Sequence, residues 1–155
     1  MDIIIVGGGK VGSSLAQILC DEHNITVIDL DENRIQSIIN ESEVKGIVGN
    51  CLQTAVLDEA DVDKCNIFIA LTDSDEVNIL SCLIAKKMNA RHCIARVRNP
   101  EFDKQLVFMR EELGISMMIN PEHAVHHTMD LRTHKQSASF YTNHTPHNHE
   151  LGAYR

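Results

Sequence analysis

Positive charge is scarce in this chain. Its 14 Lys and Arg stand against 22 Asp and Glu, a net charge of −8 at neutral pH. Nucleic-acid binding relies on basic surface, so no nucleic-acid partner is expected. Long apolar runs are missing too. None approaches the about 20 residues that a helix needs to cross a bilayer. The start, Met1-Asp2-Ile3, lacks the basic n-region of a signal peptide, and the chain reads as cytoplasmic. Its cysteines, Cys20, Cys51, Cys65, Cys82 and Cys93, include no C-x-x-C pair. Neither a zinc site nor a dithiol redox centre is indicated, and buried free thiols are expected. Before residue 123 the only histidines are His23 and His92.

What is present is concentrated at the N-terminus. An apolar strand, Ile3-Ile4-Ile5-Val6, runs into G-x-G-x-x-G formed by Gly7, Gly9 and Gly12. A helical pattern follows, then a second apolar strand ending at Asp29, which lies 22 residues after Gly7. Strand, glycines, helix, strand and acid stand in the order and spacing of a dinucleotide site. Gly7 permits the tight turn, Gly9 lets a pyrophosphate approach the backbone, and Gly12 lets the helix pack on the strand. The helix N-terminus offers free N–H groups and partial positive charge. Asp29 is suited to accept from ribose hydroxyls and would repel a 2′-phosphate, which favours NAD over NADP.

The 155 residues suggest one domain. Short apolar runs at 2–6, 25–29, 45–48, 67–71, 92–97 and 117–119 alternate with amphipathic helical patterns. One helix carries Val11, Leu15, Ile18 and Leu19. The next carries Ile35, Ile38 and Ile39, and a short one Leu52, Val56 and Leu57. A longer one begins near Asp75, and another runs from Glu101 to Leu113. The expected fold is α/β: a doubly wound, Rossmann-like parallel sheet of six strands in the order 3-2-1-4-5-6. The pattern stops near Val125. Residues 126–155 are polar, with few aliphatic side chains, and read as a disordered or non-native tail. Seven of the nine histidines lie between His123 and His149, but no cysteine or scaffold accompanies them and no metal site is expected.

The segments at the strand ends add specificity. They are Gly49-Asn50-Cys51, T-D-x-D-E-x-N from Thr72 to Asn78, Ala95-Arg96, and the closing Asn120-Pro121-Glu122. Together with the glycine motif and Val27-Ile28-Asp29-x-Asp31, they closely resemble the nucleotide-binding domain of Trk-type potassium uptake regulatory proteins. That family is called KTN or RCK_N. The resemblance spans residues 1–125, and its most specific parts are the string at 72–78 and the closing strand.

Position by position, the resemblance implies a site. Gly7, Gly9, Lys10 and Val11 would cradle phosphates, with Lys10 reaching a terminal one and Gly12 counted with the same loop. Asp29 would meet the ribose, Leu30 would belong to the cofactor site beside it, and Asp31 and Arg34 would lie near the adenosine end. Gly49, Asn50 and Cys51 would line the adenine pocket. Thr72, Asp73 and Glu76 would form a lip over the distal half, and Arg96 would approach the distal phosphates or a subunit interface. Plainer readings stand beside these. Lys10 reads also as a solvated side chain, and Asp31 as the N-cap of its helix. Asp75 and Glu76 read also as first-turn acids behind a Ser74 cap, and Arg96 as half of a structural ion pair. Two departures stand out. The family's usual Gly-Asp is Gly49-Asn50 here, a lost charge that bears on affinity or nucleotide preference. The family's following helix and smaller ligand-binding domain also give way to the polar tail.

The resemblance implies a cytoplasmic, non-enzymatic regulatory subunit. It would bind NAD(H), ADP or ATP and control a membrane-embedded potassium transporter or channel from the inner face of the membrane. It would assemble as a homo-oligomer, a dimer of dimers. An NAD-dependent oxidoreductase is an alternative. Hydride transfer needs a substrate pocket and an acid or base beside the nicotinamide, and little chain remains to build them. A static, nucleotide-stabilised scaffold is the third reading.

Overall fold

The computed structural model describes residues 1–102 and 113–115, and the backbone of 117–119. Most of the helix expected from Glu101, the segment 120–122 and the tail from 126 lie outside these residues.

Six parallel strands form one sheet: β1 Asp2–Val6, β2 Asn24–Asp29, β3 Lys45–Val48, β4 Ile67–Ala70, β5 His92–Arg96 and β6 Met117–Ile119. Their order is β3-β2-β1-β4-β5-β6, as the alternation of patterns predicts. Between them run α1 Lys10–Leu19, α2 Glu32–Glu41, α3 Thr54–Glu59 and α4 Asp75–Lys87, with a short 3₁₀ turn at Val62–Lys64.

The central strands are mostly apolar between their ends because both faces of the sheet are covered. Successive residues point to opposite faces. Ile3, Ile5, Ile25 and Val27 pack on one face with Ala16 of α1 and Ile35 and Ile38 of α2. Ile4, Val6, Ile28, Phe68 and Ala70 pack on the other with Leu57 of α3 and Cys82 and Ala85 of α4. The chain therefore changes faces between β3 and β4. In a doubly wound sheet that change opens a crevice beyond the carboxyl ends of the central strands.

Register brings those ends level. Val6 pairs with Ile28 on one side and Ala70 on the other, Asp29 pairs with Val48, and Ala70 with Ala95. No disulfide joins any of the five cysteines, and all but Cys20 are buried. Burial pushes the Cys65 thiol up to about 12 and raises that of Cys51, so both stay protonated at neutral pH.

Candidate functional site

The turn between β1 and α1 forms one wall of the crevice. Gly7 has φ of +98°, and a side chain there would meet the Leu71 and Thr72 backbone at 3.0 Å. A Cβ on Gly12 would lie 1.8 Å from the Gly7 oxygen. These two glycines bring the start of α1 against the strand ends. A Cβ on Gly9 would meet nothing within 4 Å, because Gly9 borders open space in the crevice. Gly9 is also the N-cap of α1, with no side-chain cap and no acid in the first helical turn. By contrast, Asp31 caps α2 by accepting from Asn33 N, and Ser74 caps α4 by accepting from Val77 N. The unmet N–H groups of α1 face the crevice, a ready anion site. Lys10 stands at the same wall and joins no ion pair among the described residues.

Asp29, at the end of β2, is nearly buried. Its Oδ2 accepts from Gly8 N at 2.6 Å and its Oδ1 from Asp31 N at 2.8 Å. The carboxylate thus ties the glycine turn to β2 and keeps further lone pairs for a ligand hydroxyl. Arg34 reaches from α2 to within 3.7 Å of Asp29 and 3.6 Å of Asp31. At the end of β3, Gly49 N donates to Asp29 O at 2.9 Å. Asn50 Oδ1 accepts from Leu52 N at 2.9 Å.

The string at 72–78 is a clamp between two loops. Asn78 is fully buried. Its Oδ1 accepts from Thr72 N and Thr72 Oγ1, and its Nδ2 donates to Thr72 O and Arg96 O. Asp75 Oδ2 accepts from the backbone N–H groups of Arg98 and Asn99 at 2.9 and 2.8 Å, and the Arg98 guanidinium donates to Asp73 O. Asp75 is therefore more than a first-turn acid: it fastens α4 to the segment after β5. Glu76 accepts from Ser74 Oγ. Its own backbone N–H and then the Ser74 hydroxyl hold its carboxyl below the usual range.

These walls enclose a cavity of about 670 Å³, within the size range of small-molecule and cofactor sites. Of the residues expected from sequence, Gly7, Gly9, Lys10 and Val11 line it from the first turn. Asp29, Leu30 and Arg34 line it from β2 and α2, and Gly49, Asn50 and Cys51 from β3. Thr72, Asp73 and Arg96 complete the far side. Three expected residues do not line it. Gly12 is packed beneath the turn. Asp31 is occupied as the α2 cap. Glu76 borders a separate depression with Arg98, Asn99 and Phe102. Sequence reasoning passed over Val6, Ile28, Leu52, Leu71, Ser74 and Val77, which also line the cavity. The first two were accessible as the closing residues of strands.

One polar atom at the far wall is unmatched. Arg96 Nε is buried with no hydrogen-bond partner, and no acid pairs with Arg96 among the described residues. The structural ion pair considered above for Arg96 is not found there. A buried guanidinium nitrogen without an acceptor is costly unless an anion meets it.

This is a doubly wound, Rossmann-like domain with its cleft at the switch point between β1 and β4. Residues 3–121 match the TrkA-N domain family, and the chain belongs to that family. A Trk system potassium uptake protein TrkA homolog from Archaeoglobus fulgidus is 38% identical over 122 residues, covering 79% of this chain and 28% of that protein. The chain thus spans little more than a quarter of that relative. The TrkA-N domain of inner membrane protein ybaL from Escherichia coli superposes with a TM-score of 0.74 at 20% identity, over 85% of this chain and 96% of that one. The GsuK channel has been solved bound to NAD and bound to ADP. Both forms superpose with a TM-score of 0.64 at 21% identity over 76% of this chain, and over 21% and 30% of those chains. At these identities the structural likeness establishes the fold.

Proposed function

We propose that this chain is the nucleotide-binding module of a potassium-uptake regulator, taking NAD(H), ADP or ATP in the cleft between β1 and β4. The observation that carries this reading is the set of unmatched cationic groups around one cavity. The uncapped N-terminus of α1, Lys10 and the buried Arg96 Nε all await an anion. Asp29 stands beside them as an acceptor. A diphosphate on α1, with a ribose at Asp29, uses each group in its ordinary chemistry. The base then lies between Arg34 and the Gly49–Cys51 segment, and the distal half of the ligand reaches Thr72, Asp73 and Arg96.

The module is regulatory rather than catalytic. His23 immediately precedes β2 and His92 opens β5, so both lie at the end of the sheet away from the cleft. A ligand that spans the cleft joins α1 to the loop after β4. Regulation requires tighter binding to one arrangement of these elements than to another. The working unit is residues 1–125, acting on the inner face of the membrane as a homo-oligomer beside a potassium-transporting partner. The relatives' names support the link to potassium uptake.

Calorimetric titration with NADH, NAD, ADP and ATP, followed by small-angle scattering of each saturated state, tests the proposal. Saturable binding of at least one nucleotide and a profile that differs from the free protein are expected. Absence of binding by all four removes the nucleotide reading. Binding with identical profiles leaves a static scaffold.

A further inference from the structure

We infer that Asn50 reads the base through a donated hydrogen bond, so that the cleft admits purine nucleotides whether or not they carry a 6-amino group. The inference rests on the nucleotide reading above and concerns the same cleft.

The orientation of the Asn50 amide is settled by its neighbour. The partner of its bonded end is Leu52 N, a donor, at 2.9 Å. The atom facing it must be the carbonyl oxygen, since two donors cannot bond. The other end of the amide is therefore Nδ2, which donates to no acceptor among the described residues. Asn50 lines the cavity at the carboxyl end of β3. With phosphates at the α1 N-terminus and a ribose at Asp29, this is the end of the cavity left for the base. The polar group offered there is a donor.

A donor and an acceptor at this point select differently. Every purine carries ring-nitrogen acceptors at its edge, so an N–H group finds a partner with or without a 6-amino substituent. An acceptor in the same place needs a donor from the base, and on adenine that donor is the 6-amino group. The other polar groups near the base wall do not restore the demand. Asp29 has one oxygen on Gly8 N and the other on Asp31 N, and its remaining lone pairs go to the ribose in this reading, while Gly49 N is committed to Asp29 O. Cys51 is a buried thiol whose proton is held more firmly than usual, by burial first.

The test compares ADP with purine riboside 5′-diphosphate, which differs only by loss of the 6-amino group, on the full chain and on Asn50→Asp. The aspartate is nearly isosteric and keeps an oxygen for Leu52 N, so the turn is preserved. Its charge acts on both ligands alike and cancels in the affinity ratio. For the native chain the two affinities are expected to agree within about threefold. For Asn50→Asp the ratio is expected to favour ADP by about tenfold or more, the range for a hydrogen bond to a charged group. A native preference for ADP above about tenfold overturns the inference and leaves the nucleotide reading intact. An unchanged ratio in the variant does the same. If the native chain binds neither compound, the inference is overturned, and the nucleotide reading falls with it only if NAD, NADH and ATP also fail to bind. Should Asn50→Asp fail to fold, the native ratio alone still decides.

Discussion

Asp29 has two tasks at one carboxylate. It anchors the glycine turn through Gly8 N and the α2 entry through Asp31 N, and in the proposed function it also meets a ribose. Asp29→Ala is expected to weaken adenine-nucleotide binding by about 1.5–3 kcal/mol, the range for hydrogen bonds to a charged group. Calorimetry beside a thermal melt checks this. Unchanged affinity in a folded variant would remove Asp29 from the site. Arg96 shows a different logic at the same scale. Its Nε is buried without a partner, an expense that a stable fold retains where a ligand compensates it. The sequence displayed Arg96 as a basic residue at a strand end. That it lacks an acidic partner among the described residues depends on where β5 lies relative to every acid in the chain.

At the scale of elements, the glycine turn separates folding from binding. A Cβ at Gly12 falls 1.8 Å from a backbone oxygen that cannot move aside. Alanine favours a helix over glycine by about 1 kcal/mol, but overpacking costs about 1–3 kcal/mol or more, and a 1.8 Å approach to backbone lies at the upper end. Gly12→Ala is therefore expected to lower the melting temperature. Gly9→Val places its side chain in open space within the cleft, where the proposed pyrophosphate lies. It is expected to leave the fold intact and abolish nucleotide binding. Melting curves and titrations of the pair check both outcomes. Retained tight binding in Gly9→Val would place the phosphates elsewhere. The β4–α4 junction has its own division of labour. In the string at 72–78, Asn78 and Asp75 hold two loops together, while Thr72 and Asp73 face the cleft. A linear motif shows all four as equals, because the carbonyl and N–H groups that separate them belong to residues 96–99.

For the whole molecule, the proposed working unit ends near Val125. Among the described residues the sheet has six strands with a core layer on each face, and residues 126–155 carry few apolar side chains with which to add to a core. Deleting 126–155 is expected to leave the melting temperature and nucleotide affinity nearly unchanged. A fall of several degrees would show that this segment docks on the domain and that the boundary lies further on.

Strand order, the crossing from one face of the sheet to the other, and the place of the cleft followed from the sequence alone. Local periodicity determines which segments are strands and helices, and a right-handed βαβ crossover leaves few ways to join them. The N-terminal glycine motif is equally local, since all its constraints act within a few residues of one turn. Other features required the tertiary structure. The unmatched Arg96 Nε, the four-bond clamp of Asn78 and the free donor on Asn50 are each defined by partners present or absent across the fold. The Arg96 carbonyl reaches Asn78 from β5, and a group without a partner is recognised only once every element is packed around it.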